Sequence, residues 1–308
     1  MIAALYTHNV CLQHQPGPGH PESPARLQAV LAALDQDAFA ALDRIEARPA
    51  TRTQLERVHT AALIESIFAQ SPQHDCVRLD PDTVMSPHSL SAALHAAGAV
   101  SMAIDAVIAG RIRRAFCAVR PPGHHATHDT AMGFCLFNNI AVGAAHALEM
   151  HGIERIAIVD FDVHHGNGTQ DIFWNDPRVL YVSSHQFPLY PGTGARKEIG
   201  AGNIVNAPLA PGAGSADFRR AYVETLLPAI DRFAPQLLLI SAGFDAHRLD
   251  PLANLNLETD DYAWITQRLV EIAERHAHGR IVSSLEGGYS LSALARSVEA
   301  HIRVLADL

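Results

Sequence analysis

Six short apolar runs, separated by stretches long enough for helices, constrain this chain more than any other feature. They are MIAALYTH (1–8), AFCAV (115–119), RIAIVDF (155–161), VLYVSS (179–184), LLLISAG (237–243) and RIVSSLEG (280–287). Each is continuous rather than alternating, the pattern of strands buried on both faces. Helical patterns occupy 25–34, 89–109, 138–150, 216–233, 260–277 and 290–305. Alternation of strand and helix predicts an α/β fold whose parallel sheet is covered on both sides. The 308 residues are enough for one large core, and no repeat, low-complexity tract or linker divides them. A single domain over 1–308 is expected.

The residues that carry chemistry follow these runs. RPPGHH comes after 115–119, DVHHGNG after 155–161 and SSHQFPLYPGTG after 179–184. AGFDAH comes after 237–243, and EGGYS closes the last run. Ligands of parallel sheets bind beyond the carboxyl ends of strands, so five loops on one edge can share one pocket.

Within 156–170, IAIVDFDVHHGNGTQ, residues two apart share a face if the segment is extended, which would align Asp160, Asp162 and His164. An aspartate oxygen and an imidazole nitrogen from one side suit a divalent metal such as zinc, and Asp245 is the best candidate for a third ligand. Three protein ligands with open positions is the arrangement of a catalytic site. Asp160, one pleat deeper, needs a partner; it can orient a histidine, help hold a monovalent cation, or accept backbone N–H bonds. Adjacent His124 and His125 beside a metal-bound water suit general base and general acid. Tyr289, after two glycines, can donate to a developing oxyanion. Phe134 and Tyr190 can wall a narrow channel, though single aromatics more often pack in cores.

Composition excludes some classes. A formal net charge of −9 without a Lys/Arg block argues against nucleic acid as a partner. Cys11, Cys76, Cys117 and Cys135 form no CxxC, so neither a disulfide framework nor a thiolate zinc cluster is expected. MIAALYTHNV reads as too short and too polar for a signal peptide, and no run is expected to span a membrane. The expectation is a cytoplasmic protein; oligomeric state stays open. The 19 histidines cluster around glycines and aspartates, which points to site chemistry.

RPPGHHA, GFCLFNN, DFDVHHGNGTQ, YPGTG, AGFDAHRLDPLA and LEGGY, in this order, resemble the zinc-dependent histone deacetylase family. The resemblance runs from HPESPARL to the final helices. HHGNG and LEGGY are similar to the class II branch and its bacterial relatives, among them acetylpolyamine amidohydrolases. The resemblance implies the three-layer αβα arginase/deacetylase fold with a parallel eight-stranded sheet. It implies Zn2+ ligands at Asp162, His164 and Asp245, a transition-state tyrosine at Tyr289, and His125 as general base with His124 as its electrostatic partner. Asp160 takes the place of the carboxylate behind the first histidine, and Asn167 stands where some branches have a second one. A structural K+ site would use Asp160, Ser183 and the backbone carbonyls of Asp162, His164 and Ser184. Gly133, Phe134 and Tyr190 fall on the acyl-lysine channel, and Asp82 near an acid that grips the substrate backbone.

The implied reaction is hydrolysis of an acylated amine: acetyl-lysine in proteins or peptides, or an acetylated polyamine or other small amine. Polyamine-selective relatives place a glutamate at the rim position that is Leu252 here, which favours lysine-like substrates. Arginase-type enzymes share the fold but add a second metal through aspartates at the positions of Gly166 and His247. A catalytically silent binding module is the other alternative, and every expected catalytic residue is present.

Overall fold

The computed structural model describes residues 3–308. Met1 and Ile2, the start of the first expected strand, lie outside the described residues. Ten strands are β1 (Ala3–Thr7), β2 (Asp43–Glu46), β3 (Val77–Arg78), β4 (Val84–Met85), β5 (Arg114–Cys117), β6 (Ile156–Asp160), β7 (Val179–Gln186), β8 (Ile204–Leu209), β9 (Leu237–Ala242) and β10 (Ile281–Leu285). Eight form one parallel sheet in the order β2-β1-β5-β10-β9-β6-β7-β8, and β3 and β4 make a small antiparallel pair. The fold is the α/β deacetylase architecture expected above.

The helices are α1 (Pro24–Ala33), α2 (Arg52–Leu55), α3 (Ala61–Gln70), α4 (Ser89–Ile108), α5 (Asn139–His151), α6 (Asn167–Ile172), α7 (Ser215–Ala221), α8 (Leu227–Phe233), α9 (Thr259–His276) and α10 (Leu291–Leu305). α4 and α5 pack together over the sheet as one layer, and α9 and α10, with α1 and α8, form the other. β6, β7, β9 and β10 are buried along their whole length, as their unbroken apolar runs require.

Three expectations need correction. Both edge strands lack the expected apolar run. β2 is the polar, largely exposed DRIE, and β8 contains Asn206 and Pro208, residues that an edge strand tolerates. The single helix expected over 216–233 is α7 and α8 joined by a π-helical turn at Tyr222–Leu226. Pro228 has no N–H and its ring crowds the preceding turn, and the wider turn ahead of it accommodates both. Finally, α4 is long and apolar enough to cross a membrane by length and composition, although no such run was expected. About 67% of its apolar window is buried inside the fold, where its small residues face the core.

Register positions the site. Asp160 at the end of β6 pairs with Ser183 of β7 and Ser241 of β9, and β10 pairs Leu285 with Ala242 of β9 and Ser284 with Cys117 of β5. The carboxyl ends of β5, β10, β9 and β6 are therefore nearly flush, and β7 runs three residues further, to Gln186. The loops that leave those four start at one level.

Candidate metal centre and active site

β6 ends at Asp160, and the extended conformation ends with it. Asp160 Oδ1 accepts the N–H of Asp162 (3.1 Å), and Asp162 Oδ1 accepts that of His164 (2.9 Å). Each aspartate curls the chain back onto itself, as Asx turns do. The shared-face alignment of Asp160, Asp162 and His164 is therefore wrong in its geometry. Asp160 turns the other way and meets His124 Nδ1 and the hydroxyl of Tyr181, each at 3.0 Å.

The same curl carries Asp162 and His164 to Asp245, which follows β9. The ligand atoms of the three lie within 4.8 Å of one another, and all three residues are buried. His164 Nδ1 is 3.1 Å from Asp162 Oδ1 and 3.3 Å from Asp245 Oδ2. Backbone amides hold the outer oxygens: Gly287 N–H donates to Asp162 Oδ2 (2.8 Å) and Val163 N–H to Asp245 Oδ1 (2.9 Å). Asp245 Oδ2 has no hydrogen-bond partner although it is buried. Glycine is required at 243 and 287, because a Cβ at Gly243 would collide with Asp162 and one at Gly287 with both carboxylates.

This cluster demands positive charge. Burial alone would depress His164, but the hydrogen bond to Asp162 and the charges of Asp162 and Asp245 outweigh it and lift the imidazole to about 10. An orphaned carboxylate oxygen, a second carboxylate and an imidazole nitrogen converging at these spacings fit a divalent ion. The second-metal arrangement has no support. A Cβ at Gly166 would strike Asp160, and His247 is engaged with Leu249 N–H (3.2 Å) and Thr259 (3.4 Å).

The two histidines of RPPGHH lie side by side, with ring centroids 4.0 Å apart, yet their environments differ. Burial opposes charge on His124, but Asp160 and Asp162 prevail and raise it to about 10. His125 Nδ1 is 2.8 Å from Asn167 Oδ1, an amide without charge. Burial, reinforced by His124 and His164, holds His125 well below its ordinary value. One ring is thus kept charged and its neighbour kept neutral.

A cavity of about 240 Å³ opens above this cluster, lined by Asp82, His125, Gly133, Phe134, His164, Leu189, Tyr190, Leu252 and Tyr289. Every expected channel residue is among them. Ser183 lies beside Asp160 across β6 and β7, with its Oγ 2.9 Å from His185 Nδ1, and the Ser184 hydroxyl turns to Tyr222 (3.2 Å).

Several supporting residues escaped the sequence reading. Glu286 accepts from Gly123 N–H (2.7 Å) and His124 N–H (3.2 Å), which ties the two-histidine loop to the tyrosine loop. Asp250 accepts from the N–H groups of Tyr289 (2.6 Å), Ser290 (3.2 Å) and Leu252 (3.0 Å). Arg26 stacks over the Tyr289 ring at 4.8 Å and donates to Gly288 O and Glu286 O. All three lie inside motifs visible in the sequence, LEGGY, RLDPLA and HPESPARL, but nothing in one chain's sequence says what they touch. Tyr181 and Leu189 carried no signal.

The model of the histone deacetylase domain matches residues 20–305. The chain belongs to the histone deacetylase family. It is 40% identical to a probable deacetylase of Archaeoglobus fulgidus, over 94% of this chain and 82% of that one. A histone deacetylase-like amidohydrolase of Pseudomonas aeruginosa is also 40% identical, over 93% of this chain and 81% of its own length. The crystal structure of the HDA15 HD domain superposes with a TM-score of 0.94 at 38% identity, covering 99% of this chain and 88% of that one. A histone deacetylase-family chain is a hydrolase of acetylated substrates, and the family is generally metal-dependent; the cluster of Asp162, His164 and Asp245 fits that requirement.

Proposed function

We propose that this protein is a zinc-dependent deacetylase that hydrolyses the acetyl amide of N-ε-acetyl-lysine in peptides or proteins. One observation carries the reading. A narrow cavity walled by Phe134 and Tyr190 reaches down to His125, His164 and Tyr289, with the buried carboxylates of Asp162 and Asp245 beneath it.

Asp162, His164 and Asp245 would hold one Zn2+. When bound there it would supply a Lewis acid for the amide carbonyl and would lower the pKa of a water toward ~7. His125, neutral and held by Asn167, takes the proton of the attacking water. His124, held charged by Asp160, stabilises negative charge developing next to it. Tyr289, which burial keeps protonated, donates to the oxyanion, and a protonated histidine returns a proton to the leaving amine. The aromatic walls exclude water from the aliphatic stem. K+ at Asp160 and Ser183, with the carbonyls of Asp162, His164 and Ser184, is part of the proposal; an all-oxygen set suits a hard cation.

Leu252 at the rim gives no reward to a distant ammonium, and this supports lysine-like substrates over acetylated diamines. Asp82, on the same rim, favours a cation. Initial rates of the zinc-loaded protein on an acetyl-lysine peptide and on an acetylated diamine, with a chelated control, test the reading. Chelator-sensitive turnover of the peptide is expected, with Leu252→Glu shifting preference toward the diamine. Preference of the wild type for the diamine would overturn the substrate assignment, and no turnover of either would overturn the reaction.

A further inference from the structure

We infer that the chain carries a second metal-binding site, formed by Asp105, His146 and His151, on the edge of the sheet opposite the candidate active site. Asp105 lies in the last turn of α4, and His146 and His151 lie in the last two turns of α5. α4 leads into β5 and α5 into β6, so both helices end at the amino edge of the sheet, whereas the catalytic loops leave the carboxyl edge. Gly143 of α5 packs against Val100 and Ile104 of α4. The two helices therefore run side by side in the same direction, and their carboxyl ends meet.

His146 Nε2 is 2.8 Å and His151 Nε2 2.6 Å from the same oxygen, Asp105 Oδ1. The ligand atoms of the three residues lie within 4.8 Å of one another. Two imidazoles and a carboxylate form a donor set for Zn2+ and neighbouring divalent transition metals. Two helix carboxyl termini add partial negative charge at the same place, which favours a cation. Asp105 and His151 reach solvent and offer an ion a way in, and His146 is buried behind them.

Two groups compete. Arg57 Nη1 lies 3.0 Å and Gln54 Nε2 3.5 Å from His146 Nδ1. An arginine only donates, so Nδ1 accepts there and the ring proton sits on Nε2, where Asp105 receives it. Ligation through Nε2 moves that proton to Nδ1 and displaces the guanidinium. The His151 proton on Nε2 shifts in the same way. The metal thus replaces two N–H bonds to Asp105 and binds against the charge of Arg57.

The test is metal counting on the full chain after equilibrium dialysis against Zn2+, with Co2+ absorption as a readout of ligand environment. Wild type is expected to hold two equivalents. His151→Ala and Asp105→Asn each lose one, and Asp245→Asn loses the other, so the two sites succeed or fail separately. Arg57→Gln tightens the second equivalent, roughly tenfold, by removing a nearby positive charge. His151 is partly exposed, and an unchanged thermal melt of its variant in the absence of metal shows that the loss is not unfolding. A single equivalent in the wild type would overturn the proposal. So would a second equivalent that survives in both His151→Ala and Asp105→Asn.

Discussion

Asp250 never enters the cavity, yet its carboxylate holds the loop that carries Tyr289. Asp250→Asn keeps the size of the side chain and exchanges one acceptor oxygen for an NH2 group. Turned one way, the amide oxygen still receives Tyr289 and Ser290 N–H and loses Leu252 N–H; turned the other way, it loses two bonds. The first orientation wins. It forfeits one hydrogen bond to a charged group, about 1.5–3 kcal/mol, which a urea unfolding curve on metal-loaded protein would register. The two bonds that remain go to a neutral acceptor and are roughly half as strong, so the tyrosine loop loosens. Loss of an oxyanion donor costs about 10²–10³ in rate, which sets the ceiling reached by Tyr289→Phe. Asp250→Asn should reach part of it, about tenfold in kcat with KM nearly unchanged. A double-mutant cycle isolates the cause. In the Tyr289→Phe background Asp250→Asn should cost almost nothing further in kcat. If it still costs tenfold there, Asp250 does not act through Tyr289 and the reasoning fails.

Gly287→Ala should abolish binding of the catalytic metal, because its Cβ would occupy the space of Asp162 and Asp245; a full equivalent retained by metal analysis in an Asp105→Asn background would contradict the packing argument. Asn167→Asp puts a charge where His125 has a neutral amide, which favours the imidazolium, so the acid limb of kcat/KM should move to higher pH. An unmoved limb would remove His125 as the titrating base. Acid should weaken the fold. Burial holds His59 and His185 at about 4 and His301 at about 3, against roughly 6.5 in an unfolded chain. Between about pH 6.5 and 4.5 the unfolded state therefore takes up three protons that the native state refuses. Glu286 and Asp245, both lifted by burial to about 7, cancel two of them. His125 and His165, which burial holds well below the ordinary value, add protons to the same side, so the net uptake on unfolding predicts that stability falls with falling pH in that window, by about 1.4 kcal/mol per unit for each net proton. Equal urea midpoints at pH 6.5 and 5 would refute this.

The buried strands were legible because a strand covered on both faces must be apolar throughout, and LLLISA and IAIVD have no other use for such runs. The motifs after them were legible for a related reason: glycines beside acids and imidazoles mark places where backbone comes close to a reacting group. β2 and β8 left no comparable trace, since an edge strand satisfies half its backbone elsewhere and accepts Asn206 and Pro208 without penalty. Residue types thus determined the sheet, the edge that carries chemistry and the list of groups that meet there. Tertiary structure decided what each group does. Asp160 and Asp162 are two residues apart, but the Asx turns send one to His124 and the other to His164. His124 and His125 are identical neighbours in the sequence, and two carboxylates beside one, against burial and two neighbouring imidazoles around the other, make one charged and one neutral. Hydrogen bonds and desolvation set protonation, and both depend on partners brought from distant segments, which a linear sequence does not specify.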